Sequence, residues 1–441
     1  MKYLNTLKQN SEIKQTANQQ LVKESNLALI FSLISKYDSI SRAELAVITK
    51  LSPTTVSSLT EELLRKGVIL ETGLKTLTSS GRRPIILEVN PDGGFVYAVE
   101  ISSYGYIISL YNIKCNEISS EKHVISDFLT IGADITESIA NSLKNKNIDD
   151  NKLLGICIGV PGIIDLVDLR VVSSTVVPID RNNNFCNIIK NAYPGIPVLI
   201  GNESGFCAYA EKEYGNVNSV SVSNLIYIDI NLGIGSGIIL DNHVFMGSTG
   251  LAGEIGHISI DFNGPKCKCG NKGCLEVMAS IPAMTQRIIF ELMSGYDTII
   301  SKLINNEYNK ITIEVIRDAL DKKDRLALDV VDETAKRLAF GINNVINTIN
   351  PETIIIGGEI TKLGNIFLEK IKYFVREIGF SNNANKVAIQ FSEIKGNAVT
   401  LGAARFVLDN IFDIDLLRGS IIKKVFTQKD IIDEKTIIRE V

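Results

Sequence analysis

Four side chains able to ligate a metal fall within eighteen residues of this chain: His257, Cys267, Cys269 and Cys274. One imidazole and three thiolates form a tetrahedral N/S set, which closes the shell of a zinc ion and leaves no position for water or substrate. The spacing therefore predicts a structural Zn2+ rather than a catalytic one. Gly270 and Gly273 lie inside the loop and allow the backbone to fold back, so that Cys274 reaches the same ion. The competing reading is three free thiols that sit close together by chance. The other four cysteines, Cys115, Cys157, Cys186 and Cys207, are scattered without a disulfide framework, which predicts a reducing, cytoplasmic setting.

A loop of this kind needs a scaffold, and 441 residues exceed one comfortable core, so two or three domains are expected. With 45% hydrophobic and 22% charged residues the composition is that of an ordinary globular protein. The first twenty residues are polar, and no run reaches the ~18 apolar residues of a membrane span, so no membrane partner is expected. Charge is unevenly distributed. Residues 1–89 hold 12 basic and 8 acidic side chains, whereas the remainder holds 34 and 42. A basic head on an acidic body suits a DNA-binding segment joined to one that does not bind DNA.

Within the head, Leu21, Leu27, Ile30, Phe31 and Ile34 recur at helical spacing. Ser41 followed by Glu44 reads as a capping box opening a short helix. Arg42, in its first turn, is placed to reach a phosphate or to be solvated. Ser52-Pro53 starts a third helix as N-cap and first helical residue. Val56, Leu59 and Leu63 form its core face and leave Thr54, Thr55, Ser57 and Ser58 on the exposed side. Two short helices, the second small and polar at its start, fit a helix-turn-helix whose second helix approaches base edges. Strands at Val68–Leu70 and Ile85–Leu87 then flank a wing, with Arg82 and Arg83 near its tip for phosphates or the minor groove. The plain alternative is a three-helix protein-interaction module.

From Phe95 onward apolar strands alternate with helices, an α/β pattern. Strands are predicted at Phe95–Ile101, Ile107–Tyr111, Leu154–Gly159, Val198–Ile200, Leu225–Asp229 and Thr353–Ile356. Helices are predicted at Ile131–Leu143, Phe206–Tyr214, Ile281–Met293, Ala327–Ile349 and Ile366–Ile378.

The stretch Leu251–Glu276, L-A-G-E-I-G-H-I-S-I-D-F-N-G-P-K-C-K-C-G-N-K-G-C-L-E, closely resembles the signature of the ROK family of bacterial sugar kinases and sugar-responsive repressors. Gly81-Arg82-Arg83-Pro84 resembles the wing of ROK repressors. The resemblance implies a winged helix-turn-helix over residues 1–90, and a two-lobed, ribonuclease-H-like (actin-like) α/β body over 91–410. Residues 411–441 form an extension on which it is silent. It implies that Asn202, Glu203, Glu254, His257 and Glu276 line a sugar cleft. It also implies that a ring nitrogen of His257 not bound to zinc points at the sugar.

The kinase parts of the family are altered. Gly201-Asn202-Glu203 stands where ROK kinases carry a Gly-Asn-Asp base, so the carboxylate sits one methylene further out. Glu100-Ile101-Ser102-Ser103-Tyr104 replaces a glycine-rich phosphate turn, which removes the backbone cradle and puts a ring where phosphate would fit. Gly233-Ile234-Gly235-Ser236-Gly237 and Gly357-Gly358 resemble the surviving nucleotide turns. The expectation is a non-enzymatic repressor, most like the xylose repressors. Its expected partners are double-stranded operator DNA and a sugar, and it would act as a homodimer or homotetramer. The alternatives are an ATP-dependent sugar kinase with an accessory head, and a regulator answering to a phosphosugar or a protein.

Overall fold

The computed structural model describes residues 22–37, 39–74, 84–166, 168–174, 176–179, 182–215, 222–248, 250–379, 386–394 and 396–412. Arg82 and Arg83, and the extension beyond 412, lie outside the described residues. The head contains α1 (22–36), β1 (Ile40–Ser41), α2 (Arg42–Thr49), α3 (Pro53–Arg65), β2 (Ile69–Leu74) and β3 (Ile85–Val89). Both expected caps are present. Glu44 N–H donates to Ser41 Oγ while Ser41 N–H donates to Glu44 Oε2 at 2.9 Å. Thr55 N–H donates to Ser52 Oγ at 3.1 Å. The strands form an antiparallel sheet in the order β1-β3-β2.

The body is the same sheet built twice. The first comprises β4 (Phe95–Ile101), β5 (Gly105–Asn112), β6 (Glu117–Val124), β7 (Leu153–Val160) and β10 (Val198–Asn202), in the order β10-β7-β4-β5-β6. Helix α4 (Ile131–Asn145) joins β6 to β7. The hairpin β8 (Ile163–Asp165)–β9 (Arg170–Ser173) and α5 (Phe185–Ala192) join β7 to β10. After α6 (Glu203–Tyr214) comes the second sheet: β11 (Leu225–Ile230), β12 (Ile234–Leu240), β13 (His243–Val244), β14 (Thr353–Gly357) and β15 (Ala388–Phe391). Its order is β13-β12-β11-β14-β15. Each sheet is an antiparallel meander of three strands with two parallel strands added beside the first. Between β13 and β14 lie the cysteine loop and α7 (Leu275–Ala279), α8 (Ile281–Met293), α9 (Ile299–Leu303), α10 (Ile313–Asp321) and α11 (Arg325–Ile349). Helix α12 (Asn365–Ile378) precedes β15, and α13 (Ala398–Phe412) closes the described chain.

Strand alternation divides the cores, because successive side chains point to opposite faces. Tyr97 and Val99 of β4 join the core under α4 and α5, while Val96 and Ala98 face a central layer. Likewise Ile226 and Ile228 of β11 face the core under α8–α12, while Leu225 and Tyr227 face the central layer. Helices α6 and α13 fill that layer. Small residues let them approach closely: a Cβ on Gly402 would fall 1.9 Å from Phe206 O, and one on Gly159 2.6 Å from Val399. The same cluster continues into the head through Leu63, Val68 and Val89. The head core and the interlobe helices are thus packed as one body. Among the described residues no helix is long and apolar enough to cross a membrane.

Candidate metal centre and interlobe cleft

The cysteine loop is a knuckle held by its own backbone. Cys267 N–H donates to Asn271 O at 2.8 Å, Gly270 N–H to Cys267 O at 3.1 Å and Gly273 N–H to Pro265 O at 2.8 Å. Gly270 and Gly273 have φ of +97° and +60°, the left-handed region that favours glycine. At Gly273 space forbids a side chain as well, since a Cβ would lie 1.7 Å from Asp261 O.

The turn Ile255–His257 delivers the imidazole to this knuckle. The ligand atoms of His257, Cys267, Cys269 and Cys274 all lie within 4.8 Å of one another. Cys269 Sγ is 3.7 Å from Cys274 Sγ, and Cys267 Sγ is 3.7 Å from His257 Nδ1. A tetrahedron with metal–sulfur bonds of about 2.3 Å has edges of about 3.8 Å. The donor set therefore fits a tetrahedral ion in both chemistry and spacing.

His257 serves two places. Its Nδ1 faces the cysteines, while Nε2 stands 3.8 Å from Glu254 Oε2. Glu276, in the first turn of α7, accepts a hydrogen bond from Ile234 N–H at 3.1 Å. Burial pushes the Glu254 carboxyl up, with the His257 charge opposing and Glu276 adding to the rise. Glu254, His257 and Glu276 thus converge beside the turn between β11 and β12.

Asn202 ends β10 and caps α6: its Oδ1 accepts from Ser204 N–H at 2.9 Å, and Nδ2 donates to Gly162 O at 3.0 Å. Glu203, the first residue of α6, meets two carboxyls that sequence reasoning had not singled out. Glu100 is in the penultimate position of β4 and Asp229 in the penultimate position of β11, so the duplicated sheets place them equivalently. Glu203 is pushed up to about 8, by burial first and then by the charges of Asp229 and Glu100. Burial also raises Glu100 and Asp229, against hydrogen bonds from Asn397 to Glu100 and from Tyr227 and Asn231 to Asp229. A lone carboxylate near the end of an otherwise apolar strand was the available signal. Which carboxylates meet is set by the tertiary fold.

The turns beyond these carboxylates differ. In the first sheet Ser102 N–H and Oγ both donate to Gly105 O, at 2.8 and 3.0 Å, closing a tight hairpin. Tyr104 is 76% exposed at its tip. What the turn lacks is a glycine backbone, not an enclosed space filled by tyrosine. In the second sheet, a Cβ on Gly235 would meet Ser204 Oγ at 2.4 Å, and one on Gly237 would meet Ser204 O at 2.2 Å. On Gly357 it would meet the Tyr227 hydroxyl at 1.9 Å. Close packing explains these glycines without any nucleotide.

On the head, Thr54, Ser57 and Ser58 are exposed along α3, whereas Thr55 is half-buried and paired with Ser52. Arg42 is drawn inward, donating to Glu71 at 2.6 Å and to Thr60 Oγ1 at 3.0 Å. It ties α2 to α3 and β2.

Known proteins resemble this chain at two levels. The profile of the ROK family matches residues 113–410. The xylose repressor of Caldicellulosiruptor bescii is 32% identical over 402 residues, covering 89% of this chain and 98% of that protein. The xylose repressor of Bacillus subtilis is 31% identical over 406 residues, covering 90% and 98%. Among solved structures, a ROK family transcriptional regulator described as a homolog of the E. coli MLC protein aligns with a TM-score of 0.79 and 28% identity. That alignment covers 91% of this chain and all of the other. A ROK family glucokinase from Streptomyces griseus, solved with glucose and AMPPNP, aligns at 0.60 with 22% identity and covers 71% of this chain. It shares the fold of the body.

Proposed function

Because the chain belongs to the ROK family, we propose that it is a sugar-responsive, DNA-binding transcriptional repressor of carbohydrate-utilisation genes, with xylose as its effector. The observation that carries this reading is coverage. The xylose repressors match about nine-tenths of this chain and 98% of their own length, head included, whereas the glucokinase covers 71%. The division follows as proposed from the sequence: a winged helix-turn-helix over residues 1–90, a two-lobed sugar-binding body over 91–410, and an extension over 411–441.

In the head, α3 would lie in the major groove, with Thr54, Ser57 and Ser58 towards base edges and Thr55 helping to hold the helix start. Arg82 and Arg83 would reach the backbone or minor groove, and Arg42 would act by positioning α2 against α3. In the body, Asn202, Glu203, Glu254, His257 and Glu276 would hydrogen-bond sugar hydroxyls. A Zn2+ held by His257, Cys267, Cys269 and Cys274 would supply a structural cross-link without chemistry at the sugar. With Nδ1 on the metal side, His257 Nε2 carries the proton and is the donor available to the cleft. Two heads in a homodimer or homotetramer would grip paired half-sites. A sugar that binds the two lobe arrangements unequally would shift their spacing and lower operator affinity.

Fluorescence anisotropy tests this on double-stranded DNA from the gene's own upstream region, with and without millimolar D-xylose. Tight binding that xylose releases is the expected result. Tight binding indifferent to xylose would remove the effector assignment, and absence of DNA binding would remove the repressor.

A further inference from the structure

Beside Asn202 the cleft encloses a cavity of about 40 Å³ whose walls come from both lobes. Ile164 and Leu166 belong to the β8–β9 hairpin of the first lobe, while Phe245 and Met246 follow β13 of the second. Ile164 is buried, but Leu166 is 38% and Phe245 46% exposed. A large apolar side chain from each lobe is thus left half open on the rim of one cavity, whose polar lining side chains are Asn202 and Ser236.

Hydrogen bonds near the site anchor the segments that carry Leu166 and Phe245. Asn202 Nδ2 grips Gly162 O at 3.0 Å, at the turn that starts β8. Phe245 N–H donates to Ile238 O at 2.8 Å, fixing the residue to β12. The cavity offers room for about three waters, at roughly 10–15 Å³ of probe volume each, less than a sugar ring needs. A ring touching both walls therefore needs them further apart than they stand here.

On the reading that a sugar occupies this cleft, we propose that Leu166 and Phe245 are its specificity-determining residues. One from each lobe, they cover the C–H faces of a pyranose whose hydroxyls are all equatorial, while Asn202, the member of the proposed hydroxyl-binding set that lines this cavity, faces the hydroxyl rim. In β-D-xylopyranose every ring hydroxyl is equatorial, so both faces are apolar. Phe245 offers such a face a flat apolar platform. An axial hydroxyl would press against an apolar side chain and lose its hydration with nothing in exchange. The two walls belong to different lobes, so a ring touching both favours the closed arrangement. This is the unequal binding that a ligand-driven switch requires.

Calorimetric titration of the full chain with D-xylose, D-lyxose and D-ribose tests the proposal; the latter two are epimers at C2 and C3. The wild type is expected to prefer xylose by at least about tenfold. Leu166→Ala and Phe245→Ala should each weaken xylose binding by about tenfold and cut the preference to about threefold or less, while Phe245→Tyr keeps both. An unchanged preference in both alanine variants, with xylose still bound, overturns this assignment alone. Wild-type protein that binds none of the three sugars overturns the sugar-cleft reading and this one with it.

Discussion

The two sheets of the body share strand order and direction but treat the turn after their first strand differently. Beyond Asp229 the second sheet keeps Gly233, Gly235 and Gly237, each pressed against Glu276 or the start of α6. Beyond Glu100 the first sheet closes through Ser102 and Gly105 with Tyr104 in solvent. Glycine thus stands in the second sheet where close packing leaves no room for a side chain, while residues 102–104 of the first sheet form a turn open to solvent at Tyr104. The second lobe also carries the His–Cys knuckle, and His257 stands between its thiols and Glu254. The first lobe contributes a carboxylate and a closed hairpin.

The largest test of this asymmetry removes the knuckle's imidazole. His257→Ala is expected to reduce bound zinc from about one equivalent to near zero, and loss of a structural metal costs about 4 kcal/mol or more. Elemental analysis and urea melts measure both, and xylose-dependent operator release should vanish together with the metal. A variant that keeps its sugar response without zinc would separate the knuckle from the cleft.

Next comes the glycine contrast. Gly237→Val forces a side chain to within 2.2 Å of Ser204 O and 2.7 Å of Ala208 Cβ, an overpacking cost of about 3 kcal/mol. Ser103→Gly in the open first-lobe turn should stay within about 0.5 kcal/mol. Equal urea midpoints for the two variants would erase the distinction.

A third test concerns the carboxyl between the lobes. Glu203 sits at about 8 when folded, above its ordinary 4.5, so the folded state binds the extra proton between those values. Stability from this group is therefore full below about 4.5 and is lost as pH rises through 8. Unfolding free energy should fall between pH 5 and pH 8, and Glu203→Gln should flatten that slope. An identical slope in the variant would assign the titration elsewhere.

What could be read in the sequence was what is local. The caps at Ser41 and Ser52 and the four knuckle ligands follow from residues a few positions apart, and the structure places them together. Polar edge strand β6 carries little apolar alternation, and β12 is rich in glycine, so neither announced itself. Helix α13 is apolar on most of its surface because α6 and the first sheet pack against it, which leaves no amphipathic stripe to detect. The Glu100–Glu203–Asp229 meeting brings Glu100 to two residues more than a hundred positions further along the chain and exists only once both sheets are folded. Gly235 and Gly237 read two ways in the sequence, since a phosphate turn and a tight helix contact ask for the same residue.

On the proposed reading the cleft binds a sugar and no nucleotide. Calorimetric titration of the zinc-loaded full chain with D-xylose, and separately with Mg2+-ATP in the presence and absence of xylose, tests that most directly. The prediction is about one xylose per chain and no heat from ATP under either condition. Saturable ATP binding, or ATP consumed only when xylose is present, would contradict it.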